Sequence, residues 1–156
     1  MTELYAQKLH EGLEYQDFVI HRLYDAGIPL VVFSSFKYQS AIGETIGGIE
    51  IKYDQELSKT GNVYFEISEK SHSKNQYYVP SGIYRNDNAW IYAIGNYTVL
   101  YLCAKNHLQR IYEAKQKPSG YRMVENKSRT SMGMLLPVSF VERIAAKILH
   151  FDRKTL

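Results

Sequence analysis

Gly43-Glu44-Thr45-Ile46-Gly47-Gly48-Ile49-Glu50-Ile51-Lys52-Tyr53-Asp54 is the stretch on which the reading of this chain turns. It reads as a glycine-flanked turn running into a short strand. Side chains alternate across a pleat, so Ile49, Ile51 and Tyr53 fall on one face and Glu50, Lys52 and Asp54 on the other. Three charged groups on one face are costly to bury unless they meet each other or a cation. Glu44, six positions ahead of Glu50, can reach the same point from the turn. Two carboxylates and a lysine suit a divalent metal and an attacking water. The plainer reading of the same residues is an ion pair on a solvent-facing strand, which contributes little.

Outward from this stretch, residues 2–26 read as an amphipathic helix. Leu9, Leu13, Phe18, Ile20 and Leu23 recur at roughly helical spacing, with Thr2 as a cap and Gly27 and Pro29 as the stop. The β-branched and aromatic run 29–36 predicts a first strand, and 37–48 a loop. After the strand at 49–54, residues 63–70 alternate again, with Val63, Phe65 and Ile67 against Tyr64, Glu66, Ser68 and Lys70. Pairing these two strands as a meander would put Glu50 and Glu66 on the same face of one sheet. Further strands are expected over 77–84, 89–94 and 98–104, and a short helix over 108–114. A second amphipathic helix, over 138–149, starts at Pro137 and shows one face of Val141, Ile144, Ala145, Ile148 and Leu149. This order predicts an α/β (α+β) fold, a mixed β-sheet meander flanked by helices, in one domain spanning 1–156.

The composition, 45% hydrophobic and 22% charged, is that of a globular domain with enough chain to bury a core. Its 14 tyrosines suit strands and half-buried surfaces. A net charge of +3, from 19 Lys and Arg against 16 Asp and Glu, permits a nucleic-acid partner without arguing for one. The single cysteine, Cys103, excludes an intrachain disulfide and a cysteine-rich zinc site, and reads as a small buried hydrophobe. His10, His21, His72, His107 and His150 have no ligand spacing. Asp54, at the strand end, reads as a turn aspartate. With no membrane-spanning run and no signal peptide, the expected compartment is cytoplasmic.

Helix, strand, glycine-flanked acid, Glu-x-Lys strand and second acid-bearing strand, in that order over roughly residues 5–70, resemble the PD-(D/E)xK nuclease superfamily, the restriction-endonuclease-like fold. Glu50-Ile51-Lys52 matches its Glu-x-Lys motif, and Glu44 takes the place of the preceding acid. His21-Arg22-Leu23-Tyr24-Asp25-Ala26-Gly27 is similar to the end of the first helix in archaeal Holliday-junction resolvases. On that overlay Gln16 stands where those enzymes carry a catalytic glutamate.

The resemblance implies a magnesium-dependent DNA endonuclease, in which manganese can replace magnesium. Glu44, Glu50 and the Ile51 carbonyl would hold the metal, and Lys52 would orient or help deprotonate the attacking water. Gln16 and Glu66 would complete the site, and a homodimer would cut both strands. Lys127, Arg129 and Arg122 are candidate phosphate contacts. A second register is open within the family, with Glu50 or Asp54 as the first acid and Glu66 with Lys70 or Ser68 as the later motif. Gln16 in place of an acid also admits another function: a catalytically inactive domain of this fold that binds nucleic acid or protein. A Tyr-rich α+β protein that binds a protein partner is the third reading.

Overall fold

The chain opens with a 23-residue helix, α1 (Glu3–Asp25), in a computed structural model that describes residues 3–152; Thr2, expected to cap it, lies outside them. Its buried stripe is Tyr15, Val19 and Leu23, spaced four residues apart so that they share a face. Leu9 and Leu13, expected on that face, are exposed, because the helix meets the rest of the chain through its second half. It ends in a Schellman turn. The Ile28 N–H donates to the Leu23 carbonyl at 2.7 Å and the Gly27 N–H to the Tyr24 carbonyl at 2.9 Å, with Gly27 at φ +78°, where a side chain would be strained.

Residues 29–36 are not the expected strand. They contribute one isolated bridge, Val32 to Thr45, and Ser35 caps a short helix, α2 (Phe36–Ala41), by accepting from the Tyr38 N–H. Val31 and Phe36 remain exposed, so the run has no buried face to hold it in a sheet.

Two four-stranded sheets follow. The first has the order β1 (Ile49–Tyr53), β4 (Ile91–Gly95), β5 (Val99–Ala104), β8 (Lys147–His150); the second has β3 (Val79–Pro80), β2 (Asn62–Glu69), β7 (Ser131–Pro137), β6 (Arg122–Glu125). The helices α3 (Leu57–Thr60), α4 (Lys105–Glu113) and α5 (Val138–Ile144) connect them. Among the described residues the chain is therefore mixed α/β, with five α-helices and two sheets.

The meander expected between 49–54 and 63–70 does not form. β1 pairs in parallel with β4, and β2 pairs antiparallel with β7 in the other sheet. The Asp54 carboxylate accepts from the Tyr64 N–H at 3.0 Å, so a side chain satisfies the group that a paired β1 would have to satisfy. α3 and Gly61, at φ +65°, then carry the chain into the second sheet. Of 77–84, only β3 and a 3-10 turn at Gly82–Tyr84 are regular.

The helix expected over 138–149 stops at Ile144. Ala145 turns extended and β8 pairs with β5. Ile148 and Leu149 then pack into different cores, the alternation of a strand rather than the stripe of a helix.

The first sheet lies between two apolar layers. Ile49, Ile51, Ile91, Ala93, Leu100 and Leu102 pack on Tyr15, Val19 and Leu23 of α1. On the other face Tyr92, Ile94, Tyr101 and Cys103 pack on Val63, Phe65, Ile67, Met134 and Leu136 of the second sheet. Cys103 is buried and free, as expected, and burial pushes its thiol up to about 12. No helix among the described residues is long and apolar enough to cross a membrane.

Candidate active site

The turn ahead of β1 is held from several sides. The Phe33 N–H donates to the Glu44 carbonyl at 3.2 Å and the Ile46 N–H to the Val31 carbonyl at 2.8 Å. Buried Thr45 uses its hydroxyl twice on Ile49, accepting from the N–H at 2.8 Å and donating to the carbonyl at 2.9 Å. Gly43 sits at φ +144°, and a Cβ there would lie 1.9 Å from Oδ1 of Asn88. A side chain at this φ would be strained, so glycine suits the turn from which Glu44 emerges.

β1 is an edge strand. The Gly48 carbonyl accepts from Ile91 and the Asp54 N–H donates to Gly95, so its even-numbered residues bond to β4. The odd-numbered ones face the free edge, where the N–H and C=O of a given residue open to the same side. Ile51 is one of these. Its N–H donates to Oε2 of Glu44 at 3.0 Å, and its carbonyl is presented to the same edge. From α1, Nε2 of Gln16 donates to the other oxygen, Oε1.

Glu50 and Lys52 project from β1 toward the second sheet. Glu50 is 3% exposed, and its Oε1 meets Nζ of Lys52 at 2.8 Å. Its Oε2 is buried with no hydrogen-bond partner among the described residues. The Lys52 side chain is 43% exposed along its length, but its ammonium end turns in against the buried Glu50 carboxylate. Glu66 approaches from β2. Its oxygens accept from the hydroxyls of Ser81 at 2.7 Å and Ser131 at 2.5 Å, and Tyr64 Oη lies 2.7 Å from the same Ser131 hydroxyl.

The carboxylates act on Lys52 through their charge. Burial pulls the Lys52 ammonium down, but the carboxylates of Glu50, Glu44 and Glu66 outweigh it and leave its pKa raised. Lys52 thus stays charged and acts as a donor and counter-charge. Burial raises the Glu44 carboxyl above the usual range, against the Ile51 N–H, Lys52 and Gln16, with Glu50 adding to the rise. Three carboxylates against one ammonium leave a net negative charge, which suits a divalent cation.

Gln16, Glu44, Glu50, Ile51 and Lys52 are therefore brought together by direct contacts, whereas Glu66 lies in the other sheet, gives its carboxylate to Ser81 and Ser131, and reaches Lys52 through its charge alone. The second register is not assembled. Asp54 spends its carboxylate on the N–H groups of Tyr64 and Glu56, and Lys70 reaches Glu125 at 3.6 Å and the Tyr78 ring at 4.7 Å. The three basic candidates lie on the β6–β7 hairpin. Arg122 is exposed on β6, Lys127 lies 3.5 Å from Glu56, and Arg129 lies 3.7 Å from Glu125.

Ser81, Ser131 as a partner of Glu66, and Tyr92 were not marked out as part of the site by the sequence. Tyr92 stands opposite Glu50 on β4, and only the parallel pairing reveals it.

No three His, Cys, Asp or Glu side chains among the described residues form a ready-made metal cage. Magnesium asks for less: one or two carboxylates, hard oxygens and several retained waters. Glu44, Glu50 and the Ile51 carbonyl meet that requirement, and the orphaned Oε2 of Glu50 fits a cation better than a closed ion pair does. Comparison with protein-family models, curated proteins and solved structures returned no match.

Proposed function

We propose that this chain is a divalent-metal-dependent endonuclease of the PD-(D/E)xK kind, hydrolysing phosphodiester bonds in DNA with Mg²⁺, for which Mn²⁺ substitutes. The observation that carries the reading is Glu50. One oxygen of this buried carboxylate is on Lys52 and the other has no partner among the described residues, beside Glu44 at the free edge of β1. A buried charged oxygen left without a donor is costly in a purely structural ion pair, and a bound cation removes that cost.

Glu44, Glu50 and the Ile51 carbonyl would hold the metal, which when bound lowers the pKa of a water and takes up charge on the phosphate oxygens. Lys52, protonated beside Glu50, would orient the attacking water and neutralise charge developing on the phosphate. Gln16 acts as a neutral donor that fixes the orientation of Glu44, which gives the residue a use where the helices it resembles carry an acid. Glu66, fixed by two serine hydroxyls, helps keep Lys52 charged. Support for a nucleic-acid substrate comes from the motif resemblance and from the basic β6–β7 hairpin carrying Arg122, Lys127 and Arg129.

The test is cleavage of duplex, junction and single-stranded DNA with Mg²⁺ or Mn²⁺. Metal-dependent cutting is expected in the wild type and falls at least about 10²-fold in both Glu50→Gln and Lys52→Ala. Cutting that survives both substitutions places the site elsewhere. Binding of DNA without cutting on any substrate selects the catalytically inactive binding module instead.

A further inference from the structure

Tyr92 is the largest polar group at this site that the proposed chemistry leaves unused. It is 1% exposed, and its Oη is buried with no hydrogen-bond partner among the described residues. Tyr92 and Glu50 are direct partners on adjacent parallel strands, so both side chains leave the sheet on the same face. Glu50 also carries a buried oxygen without a partner, Oε2. Two orphaned polar atoms on neighbouring residues of one face are unusual, since buried polar groups are nearly always satisfied. A phenol is protonated at neutral pH, so the hydroxyl is a donor.

We infer that Tyr92 is a positioning residue for the metal: Glu50 would hold the cation, and the buried Tyr92 Oη–H would donate to a water that the cation retains. The inference rests on the metal-site reading above. Magnesium keeps several of its waters, and groups that hold such outer ligands tune metal affinity by about 10- to 100-fold. A bridging water between Tyr92 and Glu50 without any metal is the competing account, since one buried water also satisfies both atoms.

The test compares wild type, Tyr92→Phe and Glu50→Gln by calorimetric Mg²⁺ titration and by thermal melting with and without Mg²⁺. Tyr92→Phe keeps the ring against Phe65, whose centroid lies 6.4 Å away, and deletes only the hydroxyl. The expected result is a metal-free melting temperature equal to or above wild type, because a hydroxyl with no partner is removed. Mg²⁺ affinity falls about 10-fold or more in Tyr92→Phe and is lost in Glu50→Gln. Wild-type Mg²⁺ affinity retained in Tyr92→Phe overturns the role of Tyr92 and leaves the metal site standing. A metal-free Tyr92→Phe that melts well below wild type also overturns it, because the hydroxyl then has a structural partner. Absence of Mg²⁺ binding in the wild type overturns both this inference and the reading beneath it.

Discussion

Glu44 is held by two neutral donors, the Ile51 N–H from its own edge strand and the Gln16 amide from α1. That leaves its charge for a cation while fixing where its oxygens point. Gln16→Ala is expected to fold as the wild type does and to bind Mg²⁺ about 10-fold more weakly, measured by calorimetry; an unchanged affinity would remove Gln16 from the site. The raised pKa of Glu44 gives a second residue-scale prediction. A folded state that raises a carboxyl pKa binds the proton more readily than the unfolded chain does. Its contribution to stability is complete below the unfolded value and is lost as pH rises through the folded one. Without metal, the wild type should therefore gain stability relative to Glu44→Gln as pH falls through the window just above the ordinary carboxylate range. Urea midpoints of the two proteins across that window check this, and a difference that does not move with pH contradicts it.

At the scale of elements, Asp54 ties the end of β1 to the start of β2, which lie in different sheets. Its carboxylate takes the backbone N–H groups of Tyr64 and Glu56, and burial raises its pKa against those same bonds. Asp54→Ala leaves buried donors unmet and should cost about 1–3 kcal/mol, read by denaturant unfolding. A loss within about 0.5 kcal/mol would make it an ordinary turn residue. The element scale also shows what local pattern can and cannot reveal. Glu44, Glu50 and Lys52 were legible because alternation along one strand and the reach of one turn are short-range facts. The partner of β1 was not, because parallel pairing with β4 is settled by burial across some forty residues of chain, so Tyr92 stayed hidden. The run Ile144, Ala145, Ile148 and Leu149 fits a helical stripe, yet Ile148 and Leu149 also alternate across a strand. The vacant place beside β5 decided for the strand. Residues 29–36 had strand composition without a face to bury, and the cap at Ser35 turned them toward α2.

Taken whole, the molecule stacks α1, the first sheet and the second sheet, and the candidate site lies along β1, the edge strand of the first sheet. α1 supplies the Gln16 amide, β1 and the turn ahead of it supply Glu44, Glu50, Ile51 and Lys52, and the second sheet carries Glu66, whose charge acts on Lys52. Residues far apart in sequence then act together only in the folded chain, and a cation held by Glu44, Glu50 and the Ile51 carbonyl would tie β1 to the turn ahead of it. A crystal soaked in Mn²⁺ and measured for anomalous scattering tests that claim most directly. The account predicts one strong peak between the Glu44 and Glu50 carboxylates, within about 2.0–2.4 Å of both and of the Ile51 carbonyl. A peak at another place, or none at Mn²⁺ concentrations that saturate ordinary carboxylate sites, would contradict it.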